Sequence, residues 1–263
     1  MTIIPKRYSA AFAGALGNML EWFDFAIYGY FATALGKVFF PASDPTLQTI
    51  ASFGIFAIGY LARPIGSLIL GPVGDLLGRR KMMIWSIMIM GVASFMVALL
   101  PSYAQVGAIA AYALLFLRMT QGFSIGGEYT GSMVYAAEAS PQGKEGLMSG
   151  IAHAGALLGF FLGSLTAALT AFVFGENAVN DWAWRLPFLL GALVAIAGWK
   201  LRAHMPETLE TAIEHKLSFK ELFALITLRL KEVAHGWRVL VQIAALISFS
   251  NVLFYVQFVY FVD

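Results

Sequence analysis

The chain has 263 residues and no cysteine, which excludes a disulfide framework, thiol catalysis and cysteine-ligated zinc. Charge is scarce too. Lys, Arg, Asp and Glu make up 12% of the sequence, against about 25% in ordinary soluble domains. The formal net charge of +2 is too small to argue for a polyanionic partner, so no nucleic acid is expected. Neither a nucleophile–base pattern nor an HExxH-like motif occurs, and so neither an enzyme nor a metal site is expected. What is abundant is apolar surface: 59% of residues are hydrophobic and the mean hydropathy is +0.75. A soluble globule of this size has no use for so much. The 26 glycines fit helices packed closely in lipid. The composition is that of an all-helical integral membrane protein, with the bilayer as its first partner.

A membrane-spanning helix needs about 20 mostly apolar residues. Seven stretches qualify: 10–39, 49–73, 82–100, 106–137, 147–174, 184–201 and 238–262. Lys6 and Arg7 before the first could suggest a signal peptide. That run is too long for one and carries Glu21 and Asp24, so it reads as a retained helix. With the N-terminus in the cytoplasm, 13 of the 17 Lys and Arg residues fall on the inner side, Arg202 among them. Trp85, Trp182, Trp184, Trp199 and Trp237 lie near span ends, as an aromatic belt requires.

One connection is long, 202–237, and holds a capping box at Ser218 and Glu221. Phe219, Leu222, Phe223, Ile226, Leu230 and Val233 follow at helical spacing, which suits an amphipathic helix on the inner surface; over 203–217 a solvated linker fits equally well. The expected organisation is thus a six-helix half over 1–201, a cytoplasmic loop over 202–237, and a seventh helix over 238–263 that opens an absent second half. The chain reads as a fragment.

Glu21, Asp24, Arg63, Arg118 and Glu128 fall inside the spans. An Asp or a basic residue at a helix centre costs about 2.5–3.5 kcal/mol on insertion scales, so such groups pair or line a cavity. Glu21 and Asp24 share one face of the first helix, with Tyr28 a turn further on; Arg118, Gln121, Ile125 and Glu128 share a face of the fourth. A buried polar network around a cavity is expected, either functional or simply fixing helix register. Arg63, just before Pro64, reads as a residue that snorkels or pairs locally. His153 reads as a hydrogen-bonded packing histidine rather than a proton relay. The aromatics from Trp22 to Phe31 fit either helix packing or a cation–π box for a quaternary ammonium.

Glycines at four-residue spacing, Gly122/Gly126, Gly127/Gly131 and Gly155/Gly159/Gly163, give smooth faces for close neighbours. The stretch Gly71-Pro-Val-Gly-Asp75-Leu-Leu-Gly78-Arg79-Arg80-Lys reads as a tight turn whose acid and bases can latch neighbouring helix ends.

These residues carry a resemblance. Gly71 to Arg80 is similar to the loop signature of the major facilitator superfamily, departing from it at Leu76, where a base is usual. Arg118 to Gly127 resembles that superfamily's fourth-helix motif, whose arginine is associated with proton coupling. Glu138-Ala-Ser-Pro141 with Gly146 resembles its next cytoplasmic loop, with Glu145 in place of the usual base. Gly17 to Phe25, Arg63 to Gly66 and Gln121 to Tyr129 resemble the metabolite:proton symporter family. The resemblance implies a twelve-helix transporter of the bacterial inner membrane, importing a small carboxylate or zwitterion with a proton and no other cofactor. Glu21, Asp24, Tyr28, Arg118, Gln121 and Glu128 become candidates for substrate and proton handling. Gly71, Asp75, Gly78, Arg79, Arg80 and Glu138 become the cytoplasmic gating loop. The alternatives are an antiporter of the same fold, disfavoured because no proline follows Gly159 or Gly163, and a transport-inactive sensor.

Overall fold

The computed structural model describes residues 9–41, 44–204 and 234–255, with a few positions between 223 and 231. It divides into two units, Met1–Glu214 and His215–Asp263. In the first, the helices are α1 (Ser9–Tyr30), α2 (Ala32–Phe39), α3 (Pro45–Leu77), α4 (Arg79–Leu99), the single turn α5 (Tyr103–Val106), α6 (Ile109–Glu138), α7 (Glu145–Ala178) and α8 (Arg185–Ala203). A π-helical turn, Val179–Ala183, joins α7 to α8. The second unit contributes α9 (Trp237–Tyr255). The amphipathic helix expected from Ser218 to Val233 lies largely outside the described residues, as does the end of the seventh span.

α3, α4, α6, α7 with its π-turn, and α8 are each long and apolar enough to cross a membrane. α1 has the length, 22 residues, but Asn18, Glu21 and Asp24 dilute its apolarity, and all three are buried against other helices. The first expected span is interrupted. Phe31 leaves helical geometry at φ −94°, ψ 9°, although hydrogen bonds from Phe31 N to Ile27 O and from Leu35 N to Phe31 O carry the direction across.

Glycine decides which helices pack closest. A Cβ on Gly122 would collide with the Gly59 carbonyl, one on Gly126 with that of Arg63, and one on Gly66 with that of Phe123, so α3 and α6 touch backbone to backbone. Gly155 and Gly159 do the same for α7 against Ala15 and Met19 of α1. The four-residue spacing read in the sequence is therefore contact surface. α6 lies at the centre, touching α1, α3, α4 and α7.

Two expectations need correction. The turn expected over Gly71–Arg80 is mostly helix: α3 runs through Gly71, Pro72 and Asp75, and Gly78 alone makes the turn, at φ 104°. That left-handed region favours glycine, whereas Gly71 is helical with open space around it. Trp184 does not belong to an aromatic belt. It is fully buried, with ring centroids 5.5 Å from Phe39 and 6.1 Å from Phe188, in the apolar core that also holds Ile27, Leu35 and Leu114. A span-end position did not reveal that α2 folds over it.

A buried charge network across the helices

Three acids and three arginines pair inside the first unit, each pair joining different helices. Asp24 of α1 is the best supported. Arg118 of α6 donates from Nη1 to Asp24 Oδ2 at 2.6 Å. Ser94 Oγ of α4 and Gln121 Nε2 donate to Oδ1 at 2.7 and 2.9 Å. Gln121 also accepts from Arg118 at 2.7 Å and donates to Ser94 at 2.8 Å. Tyr28 covers the Arg118 guanidinium, 4.3 Å from its ring centroid, and donates to the Ser52 carbonyl of α3 at 3.1 Å. Asp24, Ser94, Arg118 and Gln121 are all buried. Charge-assisted bonds of this kind are roughly twice as strong as neutral ones.

Glu21, one turn earlier on α1, meets Arg63 of α3 with 3.0 Å between Oε1 and Nη1. The contact is off the hydrogen-bonding direction. Both Glu21 oxygens lack a donor, and Arg63 Nε and Nη2 lack acceptors. The Arg63 guanidinium instead packs, at 4.1 and 4.3 Å, against the rings of Phe25 and Tyr60, which themselves meet edge to face. Arg63 therefore does not snorkel: a cross-helix acid and two aromatic faces hold it in the bundle. Of the aromatics read as a possible box for an external cation, Phe25 and Tyr28 face the protein's own arginines, and Phe23 and Phe31 pack in the apolar core.

Glu128 does not join Asp24 and Arg118, although it shares a helix with Arg118. It pairs with Arg202 of α8. Arg202 also donates to the carbonyls of Met83 at 2.9 Å and Ala13 at 3.1 Å, and so ties α8 to α1, α4 and α6. Gly17 makes the room, because a Cβ there would overlap both partners. Counted from sequence among the inner-surface bases, Arg202 is in fact wholly buried; its place in the last turn of a span gave no sign of this. Ser94 was also missed. It had a signal, since Ser86, Met90 and Ser94 form one stripe on α4 and all are buried. His153 is hydrogen-bonded as expected, 2.8 Å from the Tyr129 hydroxyl, but it is exposed rather than packed.

At the end of the unit where α3 meets α4, Arg79 bridges Asp75, at 3.3 Å, and Glu138 of α6, at 2.9 Å. Arg80 donates to the Ala203 carbonyl at 2.8 Å, capping α8. Gly78, Arg79, Arg80, Asp75 and Glu138 thus form one cluster, and Gly71 lies one helical turn before Asp75, with open space around it. At the opposite end a cavity of about 430 Å³ opens between Lys37, Tyr103, Asp181 and Arg185, apart from the charge network.

Helices joined by glycine faces around internal ion pairs, closed at one end by an Asp–Arg–Glu cluster, describe a bundle of membrane-spanning helices. Residues 10–216 match the sugar (and other) transporter family, and the chain belongs to that family, within the major facilitator superfamily. It is 39% identical to the proline/betaine transporter of Salmonella typhimurium over 277 residues, covering 99% of this chain and 53% of that one. Identity to the citrate-proton symporter of Klebsiella pneumoniae is 33%, covering 97% of this chain and 56% of that one. The fold matches the xylose transporter XylE from E. coli with a TM-score of 0.69 at 19% identity, over 93% of this chain and 62% of that one. The chain spans about half the length of the curated relatives it matches. It is a multi-pass membrane protein of a transport family and not an enzyme.

Proposed function

We propose that this chain supplies the N-terminal half of a proton-coupled symporter that imports a small organic acid or zwitterion by alternating access. Residues 1–201 form the half, 202–237 a cytoplasmic loop, and 238–263 the first helix of the other half. The N-terminus faces the cytoplasm of a bacterial inner membrane, a reading supported by the one-sided distribution of Lys and Arg. Substrate binds near the midplane between the halves. Proline, betaine and citrate, named for the relatives, share a carboxylate, which supports that substrate class.

The observation that carries this reading is the pair of acids on α1. Glu21 and Asp24 lie one turn apart, fully buried, each against an arginine of a different helix. A buried carboxylate stays ionised while a guanidinium touches it and takes a proton when the guanidinium leaves. Relative movement of α1, α3 and α6 would therefore load and unload protons. Arg118 and Gln121 set this switch for Asp24, Arg63 sets it for Glu21, and Glu128 locks the helices to α8.

The test is uptake of proline, glycine betaine and citrate by the whole transporter in proteoliposomes under an imposed pH gradient. We expect accumulation of at least one, abolished by collapsing the gradient and lost in Asp24→Asn and in Arg118→Gln, with some exchange retained in Asp24→Asn. Gradient-driven accumulation at native levels in both Asp24→Asn and Glu21→Gln would remove the α1 acids from the coupling mechanism.

A further inference from the structure

We propose that Arg63, and not Arg118, receives the substrate carboxylate, and that the substrate does so by displacing Glu21, which then takes the coupled proton. This rests on the symporter reading above and assigns its substrate contact. The two arginines differ in how they are engaged. Arg118 spends Nη1 on both Asp24 and Gln121, and its side chain is 1% exposed. Its Nε and Nη2 also lack acceptors, but they are shut in beneath Tyr28, Phe25 and Phe56.

The Arg63 side chain is 21% exposed. It touches its acid at one nitrogen only; Nε and Nη2 are buried and without an acceptor, as in Arg118, so it is the exposure of the side chain as a whole that sets Arg63 apart. Those two nitrogens form the edge of a guanidinium that matches both oxygens of a carboxylate. Phe25 and Tyr60 already pack against the guanidinium, which limits the side-chain freedom left to be lost on binding.

Glu21 completes the exchange. Its oxygens accept no well-directed hydrogen bond, so its hold on Arg63 is chiefly charge contact at 3.0 Å. The ionisable groups facing it are Arg63 from α3, Asp24 on its own helix, and Glu128 and Tyr129 from α6. Arg202 of α8 is engaged by Glu128, and His153 of α7 by Tyr129. Among the described residues, no second cation is therefore available to Glu21. When a substrate carboxylate becomes the counter-ion of Arg63, Glu21 is left buried among acids and binds one proton from solution. The bound carboxylate's negative charge and the proton on Glu21 offset each other; the ammonium of a zwitterion or the further carboxylates of citrate add their own charge to the site. Release on the other side reverses both steps.

Equilibrium binding of proline, glycine betaine and citrate to the purified whole transporter, measured across pH with proton uptake followed by an indicator dye, tests this. The native protein should bind a carboxylate more tightly as pH falls, taking up about one proton per carboxylate held. Glu21→Gln should bind with an affinity that no longer follows pH. Arg63→Gln should weaken binding more than tenfold, and Arg63→Lys should recover part of it. Because Arg63→Gln leaves Glu21 alone in the bundle, the double variant Glu21→Gln/Arg63→Gln repeats the measurement with neither charge present. Native affinity in the double variant, unchanged pH dependence in Glu21→Gln, or no binding of any of the three probes to native protein overturns the proposal. Gradient-driven accumulation with native binding in the double variant would sink this assignment and leave the symporter standing. Arg63-dependent binding without accumulation would do the reverse.

Discussion

At the scale of single residues, the three buried pairs differ in how completely they are bonded, and this sets the cost of breaking each. Asp24 accepts from three side chains; Glu21 accepts from none. Removing one partner of a well-bonded buried pair typically costs about 3–5 kcal/mol, because the other charge stays behind. Asp24→Asn should therefore lower the melting temperature in detergent well below that of Glu21→Gln, whose partner keeps its two aromatic faces. Thermal unfolding followed by intrinsic fluorescence reads the difference. Equal shifts in the two variants would mean that the hydrogen bonds around Asp24 contribute nothing beyond charge.

At the scale of elements, the Asp75–Arg79–Glu138 cluster straps α3, α4 and α6 at one end. Its side chains are partly exposed, and exposed pairs are worth only about 0–1 kcal/mol. Such a strap tunes the rate of switching between states without supplying binding energy. Asp75→Asn should slow uptake several-fold while equilibrium binding of the same solute stays within a few-fold of native. A large loss of binding by folded variant protein would place Asp75 near the substrate. How much of this was legible in sequence follows from periodicity. Glu21 with Asp24, and Arg118 with Gln121, lie three residues apart on single helices, so their common faces could be read directly, and so could the glycine strips. Which helix each face meets could not be read. Glu128 was grouped with Arg118 because they share a face, yet α8 brings Arg202 to it. Arg63 was read as a local residue because nothing in its own sequence shows that α3 packs against α1. The turn at Gly71 was misplaced because proline and glycine mark turns in water, whereas α3 runs on through both to Leu77.

At the scale of the whole molecule, the chain spans about half the length of its curated relatives, and in transporters of this kind the substrate site lies between repeats. Reconstituted by itself in proteoliposomes, this 263-residue chain should accumulate no proline, betaine or citrate under a pH gradient; accumulation would show that one half makes a complete pathway. The Arg202–Glu128 clamp has a consequence for how the protein is made. Arg202 leaves the ribosome 74 residues after Glu128, a delay of about 4–15 s at about 5–20 residues per second. Until then the acid sits in a nascent bundle with its partner unborn, and an unpaired acid in a span is costly, so α6 is held back from its final packing until α8 arrives. The arrival of α8 is then the event that closes the bundle, and a nascent chain stopped before Arg202 is an open assembly intermediate rather than a smaller finished protein.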